Sequence, residues 1–181
     1  MKYTHETLLD RIAAGEELTY VFFWGHTPGR IDRVGKSCLS QWFERAFVHK
    51  AIRYPTAEHW MMAEKARLFE DEKRLQLILR TASAKTVKDF GRSVANFDEE
   101  TWREQREKIV KNGNYLKFSQ HADLRGYLLG TGNRILVEAS PYDKVWGIGM
   151  KATDDGVEDP ANWRGENLLG YALMEVRDRL G

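Results

Sequence analysis

Arg53-Tyr54-Pro55-Thr56-Ala57-Glu58-His59-Trp60-Met61-Met62-Ala63-Glu64-Lys65-Ala66 says more about this chain than any other stretch. Pro55 biases Tyr54 toward an extended conformation, Thr56 is a good N-cap, and Ala57 onward favours helix. Glu58 falls in the first turn, where the positive end of the helix dipole favours an ionised acid. Lys65 follows seven residues later, nearly two full turns, and so returns to the same flank. Helical side chains lean toward the N-terminus, which aims the lysine back at the glutamate. An acid and an amine then face one pocket. The same spacing also describes a solvated pair on an ordinary amphipathic helix.

Outward from that helix, turn and cap signals divide the chain. Thr4 to Gly15 reads as a short amphipathic helix, and Leu18 to Trp24, rich in β-branched and aromatic residues, as a strand. Gly25 to Lys36 has no periodicity and reads as a basic loop. Phe47-Val48 and Ala51-Ile52 suggest a strand pair before the Glu58 helix. Further helices follow at Asp71 to Leu79, after Ser83, after Asp98 with an end near Asn112-Gly113, and around Leu124 to Leu128. Arg134 to Glu138 is a short strand, Ser140 to Asn162 a loop, and Asn167 to Leu180 a closing helix with Leu169, Leu173, Val176 and Leu180 on one stripe. The expected fold is α+β: one helix-dominated domain over 1–181 with a small sheet, residues 1–17 forming an N-terminal helical extension.

Composition narrows the function. A chain of 181 residues suits one domain with a sizeable core. The net charge of +1 provides no overall field toward nucleic acid or acidic membrane, so a basic footprint must be local. Cys38 is the single cysteine, which excludes an internal disulfide and a cysteine-based zinc site. No apolar run follows a basic start and none reaches membrane-spanning length, so the expected compartment is the cytoplasm. A metal is not expected. Glu58 and His59 are adjacent and diverge by about 100° on a helix, while His26, His49 and His121 lack zinc-site spacing. Six tryptophans are a rich supply for flat ligands as well as for the core.

Three separated blocks resemble the YbiA-like, or NADAR, family of N-glycosidases, in family order and from about Tyr20 onward. The first is Tyr54-Pro55-Thr56-Ala57-Glu58-His59-Trp60 with Glu64-Lys65-Ala66. The second runs from Leu128-Leu129-Gly130-Thr131-Gly132 through Leu136-Val137-Glu138 to Asp143-Lys144-Val145-Trp146-Gly147. The third is Asn167-Leu168-Leu169-Gly170-Tyr171-Ala172-Leu173-Met174 with Arg177. The resemblance implies a YbiA-like fold and hydrolysis of a ribosyl C–N bond without a cofactor.

That reaction protonates the leaving nitrogen or the ring oxygen, stabilises positive charge on the sugar, and brings a nucleophile to the anomeric carbon. Glu58 suits the general acid or the stabilising carboxylate. Lys65 suits either an amine nucleophile that forms an imine with the opened sugar, or a fixed charge for phosphate. For Asp143 the family implies a hold on ribose hydroxyls or on the attacking water, with Glu138 beside it. An aspartate closing a turn on its own backbone is the plainer alternative. Trp24, Trp42 and Trp102 are candidates for stacking on a base, Trp146 serves either ligand or core, and Trp60 and Trp163 read as core. Arg30, Arg33 and Lys36 beside Gly29 and Gly35, the Ser40-Gln41-Trp42 segment, and Asn167 at a helix start are candidate phosphate contacts. His59, in the first block, reads as packed or hydrogen-bonded beside Glu58, tuning its position; it and Gly147 of the second block are also candidate substrate contacts. The family implies two substrate classes: ADP-ribose on guanine in DNA or RNA, or a phosphorylated ribosylamino-pyrimidine of riboflavin biosynthesis. An ADP-ribosyltransferase is the implied companion for the first, and no membrane partner is expected. The competing reading is a module that binds NAD or ADP-ribose without cleaving it.

Overall fold

The structure, a computed structural model, describes residues 2–29 and 34–181. Its contacts gather into two compact units, Met1–Ser40 with Ala122–Gly181, and Gln41–His121. The architecture is α+β, as expected.

The first unit holds helix α1 (His5–Ala13), strand β1 (Tyr20–Phe23), a 3-10 turn at Lys36–Leu39, helix α6 (Ala122–Leu129), strand β4 (Ile135–Glu138), a second 3-10 turn at Pro160–Asn162, and helix α7 (Leu168–Leu180). Strands β1 and β4 pair in parallel, Tyr20 opposite Ile135 and Phe23 opposite Glu138. Ile135, Leu136 and Val137 are all fully buried, the continuous apolar run of a strand covered on both faces. Helix α7 lies against β4 and is itself apolar almost all round, with ten of its residues buried. The two approach so closely that a Cβ on Gly170 would sit 2.0 Å from the Leu136 carbonyl oxygen. Arg177 crosses the same seam, donating to Thr131 Oγ1 at 2.9 Å and to the Arg134 carbonyl at 2.8 Å.

The second unit begins with an antiparallel hairpin, β2 (Phe47–His49) and β3 (Ile52–Tyr54). Lys50 and Ala51 fill its two-residue turn at φ +48° and +63°, the left-handed pair that a tight hairpin demands. Four helices follow: α2 (Ala57–Leu68), α3 (Glu72–Arg80), α4 (Ala84–Arg92) and α5 (Glu99–Ser119). Each is capped as its sequence predicts. Thr56, Asp71, Ser83 and Asp98 accept from the amide three residues on.

Helix α2 is the centre of this unit, packed against α3, α4 and α5. Glycines set the closest approaches. A Cβ on Gly91 would fall 1.8 Å from Met62 Sδ, and one on Gly113 would fall 2.3 Å from Trp60 Cδ1.

Gly113 corrects one expectation. Asn112-Gly113 reads locally as a helix stop, yet α5 continues to Ser119. The glycine is there because the Trp60 ring fills the space beside it, with Trp60 Nε1 donating to the Ile109 carbonyl at 2.9 Å.

Two substitutions test this packing by urea denaturation. Gly113→Ala gains helix propensity but overpacks Trp60, for an expected net loss of about 1–2 kcal/mol. Ala51→Gly relieves a left-handed residue at an exposed turn and is expected to add about 0.5–1 kcal/mol.

Candidate functional site

In the second unit the first turn of α2 is buried, so each of its amides needs a partner inside the protein. The Glu58 amide donates to the Gln41 carbonyl at 3.0 Å, and the His59 amide to Thr56 Oγ1 at 3.3 Å. Gln41 is fixed in turn, its side-chain oxygen accepting from Asn114 Nδ2 of α5 at 2.8 Å. The Glu58 carboxyl group therefore starts from a backbone held on both sides, with 2% of the residue exposed. Trp42, the next residue after Gln41, is half-buried with the Lys88 ammonium 5.9 Å from its ring.

His59 is packed and hydrogen-bonded, the first of its two readings, and both ring nitrogens are taken. Its Nε2 lies 2.9 Å from the Thr81 carbonyl and must donate, while Nδ1 lies 2.8 Å from the Thr56 hydroxyl and accepts. Burial lowers its pKa and favours the neutral ring. Both nitrogens are committed within the unit and the residue is 1% exposed, so His59 ties α2 to the end of α3 and has no ring nitrogen left to offer a substrate.

Lys65, two turns along α2, is half-buried. Its Nζ sits 4.0 Å from the centre of the Phe97 ring and 5.1 Å from that of Trp102. Burial lowers the pKa of this amine, and the charge of Glu99 partly opposes the shift. Trp102, buried at 9% exposure, is thus in contact with the candidate lysine. Phe97 and Glu99 were not singled out from the sequence. The available signal was an aromatic residue immediately before the N-cap Asp98, the position from which a side chain folds back over a helix start.

In the first unit, Asp143 closes a turn on its own backbone. Its Oδ1 accepts from the Val145 amide at 3.0 Å and the Trp146 amide at 2.8 Å. The Gly147 that follows passes close to β4: a Cβ there would be 2.7 Å from the Glu138 carbonyl oxygen. The carbonyls of Val145 and Trp146 then receive the amides of Leu168 and Leu169, the first residues of α7.

Asn167 is a second correction. It sits at φ +55°, fully buried. Its side chain accepts from the Glu138 amide and donates to the Leu136 carbonyl, both at 3.0 Å. With the Leu168 and Leu169 amides also engaged, this helix start is bound to its own strand and loop and is not presented to an anion.

Ser40 ends the first 3-10 turn, its amide donating to the Ser37 carbonyl at 3.1 Å. Trp24 and Lys36 line one cleft of the first unit. Arg30 and Arg33 lie outside the described residues. Among the described residues no cluster of His, Cys, Asp and Glu is arranged to hold a metal ion, and no helix is long and apolar enough to cross a membrane.

Residues 22–181 match the NADAR domain model. An N-glycosidase of Acanthamoeba polyphaga mimivirus is 42% identical over 165 residues, spanning 88% of this chain and 95% of that one. The N-glycosidase YbiA of Escherichia coli is 35% identical over 127 residues, 70% of this chain and 71% of its own. The NMR structure of E. coli YbiA superimposes with a TM-score of 0.72 at 28% identity, covering 91% of this chain and 86% of that one. A buried first-turn glutamate, a lysine held against aromatic rings, and relatives of this closeness agree: the chain belongs to the NADAR family and is an enzyme of the N-glycosidase class.

Proposed function

We propose that the protein hydrolyses the bond between ribose C1′ and an amino-bearing base, on a ribose that carries phosphate, with Lys65 as nucleophile. One observation carries this reading: the Lys65 amine is half-buried over the faces of Phe97 and Trp102, and burial drives it toward the neutral form that can attack. A lysine whose task is to hold phosphate gains nothing from losing its charge.

The Nζ lone pair forms a bond to C1′, and the C1′–N electron pair departs with the base nitrogen. Glu58 acts as the acid that protonates this nitrogen, aided by burial that keeps water from competing. The lysine adduct opens to a protonated imine. Water adds to it, releasing the sugar aldehyde and restoring the amine.

In this reading Asp143 shapes the loop after β4 with Oδ1, and Trp146 and Gly147 act through that loop's backbone. Two substrates fit the chemistry: ADP-ribose on guanine, which an ADP-ribosyltransferase would supply, and a phosphorylated ribosylamino-pyrimidine.

Incubation with each substrate, followed by detection of the freed sugar phosphate, tests the reaction. Glu58→Gln is expected to lower kcat by about 100- to 10,000-fold while retaining binding. Sodium borohydride added during turnover is expected to trap a sugar on Lys65, seen as a mass increase that Lys65→Arg abolishes. An active enzyme that never yields the adduct would leave lysine as a charge only.

The pH profile gives an independent check. Attack needs the neutral amine, so activity rises with pH through the Lys65 pKa, which burial places below that of an exposed lysine. Glu99 raises that pKa, so Glu99→Gln is expected to move the rising limb toward lower pH. A limb that stays in place excludes Lys65 as its source.

A further inference from the structure

Lysines ordinarily face a carboxylate or water, but the Lys65 amine faces rings. Among the described residues no hydrogen bond or ion pair holds its Nζ, which stands 4.0 Å from the centre of Phe97 and 5.1 Å from that of Trp102. Phe97 does not serve as core, being 41% exposed. It is nevertheless firmly placed. The Ala95 amide donates to Asp71 Oδ2 at 2.8 Å, Val94 is buried, and Asn96 turns the chain at φ +54°. The Phe97 ring then meets Phe69, at the buried end of α2, edge to face at 5.3 Å and 67°.

The face of a phenyl ring is electron-rich and attracts a cation much more than a neutral amine. In the reaction proposed above, Nζ begins neutral and becomes positive. Attack turns its lone pair into the bond to C1′ and leaves the nitrogen charged. The nitrogen sheds a proton, its new lone pair forms the imine, and the C1′–ring oxygen pair departs and takes up a proton. Nζ is again positive in that imine.

We propose that Phe97 is a catalytic residue, its ring face stabilising the positive charge that develops on Lys65 Nζ as the amine bonds to the sugar. Trp102 gives a second face. The proposal rests on the reading of Lys65 as nucleophile. The attraction is slight before attack and strong after it, and only such a difference lowers a barrier. Contacts of this kind correspond to about 2- to 30-fold in rate.

Ribose 5-phosphate is a probe with no glycosidic bond to break. Its open-chain aldehyde condenses with Lys65, losing water, to give the imine, which borohydride reduces to an adduct read by mass. The trapping rate is compared for the full chain with Phe97 and with its mono-, di- and pentafluorinated forms, since fluorine drains the ring face while largely keeping its shape. Rates are taken as pH-independent limits, so that altered lysine ionisation does not enter. They are expected to fall stepwise with fluorination, to about 2- to 30-fold below the native rate, with affinity for ribose 5-phosphate unchanged. Phe97→Leu is expected to fall with them. Rates indifferent to fluorine overturn the proposal even where Phe97→Leu is slow, because the ring would then act by shape alone. The two readings fail separately. Trapping on Lys65 that ignores fluorine removes the role of Phe97 alone. Sugar release with no adduct on Lys65, from substrate or probe, removes the lysine nucleophile and this proposal with it.

Discussion

A helix buried on almost every side must find partners for its first amides within the protein, and α2 is such a helix. Eight of its residues are buried, Ala57 to Ala63 without a break. Its start is consequently held by the Gln41 carbonyl, by the Thr56 hydroxyl and, through His59, by the Thr81 carbonyl. Those bonds would be needed for stability in any case. For the proposed reaction their consequence is that Glu58 leaves a backbone with little freedom, as a general acid would require. In that reading, burial and function draw on the same set of hydrogen bonds.

Lys65 shows the opposite balance two turns later. Desolvation disfavours its charged form, whereas Glu99 and the negative faces of Phe97 and Trp102 favour it. Burial is the larger influence and the pKa falls, but the opposing contacts limit how far. An amine held this way can pass between neutral and charged forms, as the attack, imine formation and release proposed for it would each demand.

Much of this was legible because it is local. Thr56, Ser83 and Asp98 are caps by residue type, Thr4 and Asp71 stand where helices were read to start, and every one accepts from the amide three residues on. The strand ends near Phe23 and Glu138 followed from β-branched and aromatic runs. The pairing of those strands did not, because a parallel pair joins segments far apart in the chain and leaves no turn to read. The errors have the same origin. Gly113 carries a local stop signal that Trp60 overrides, and Asn167 looks like a presented helix start because its bonds to Leu136 and Glu138 are tertiary. That His59 is packed was legible, but its partner was not, since the Thr81 carbonyl lies 22 residues away. Phe97 beside Lys65 and Tyr142 beside Trp24 are likewise proximities that one sequence cannot supply.

The family blocks therefore mix two kinds of constraint. In the first, Glu58 is buried and Lys65 half-buried, surroundings that make an ionisable group a candidate for chemistry. In the second and third, the recurring residues build backbone geometry. Asp143 closes its turn, Gly147 lets the chain pass the Glu138 carbonyl, Gly170 lets α7 approach Leu136, and Thr131 of one block receives the Arg177 guanidinium of the other. Asn167 then fastens the strand to the helix at the one left-handed residue between loop and helix. A motif can be specific enough to identify a family because the scaffold allows no substitute there, with no reacting atom near it. In the proposed reaction the chemistry falls to the block with the buried acid and the aromatic-backed amine, while the residues of the other two blocks are engaged in holding strand, loop and helix of their own unit together.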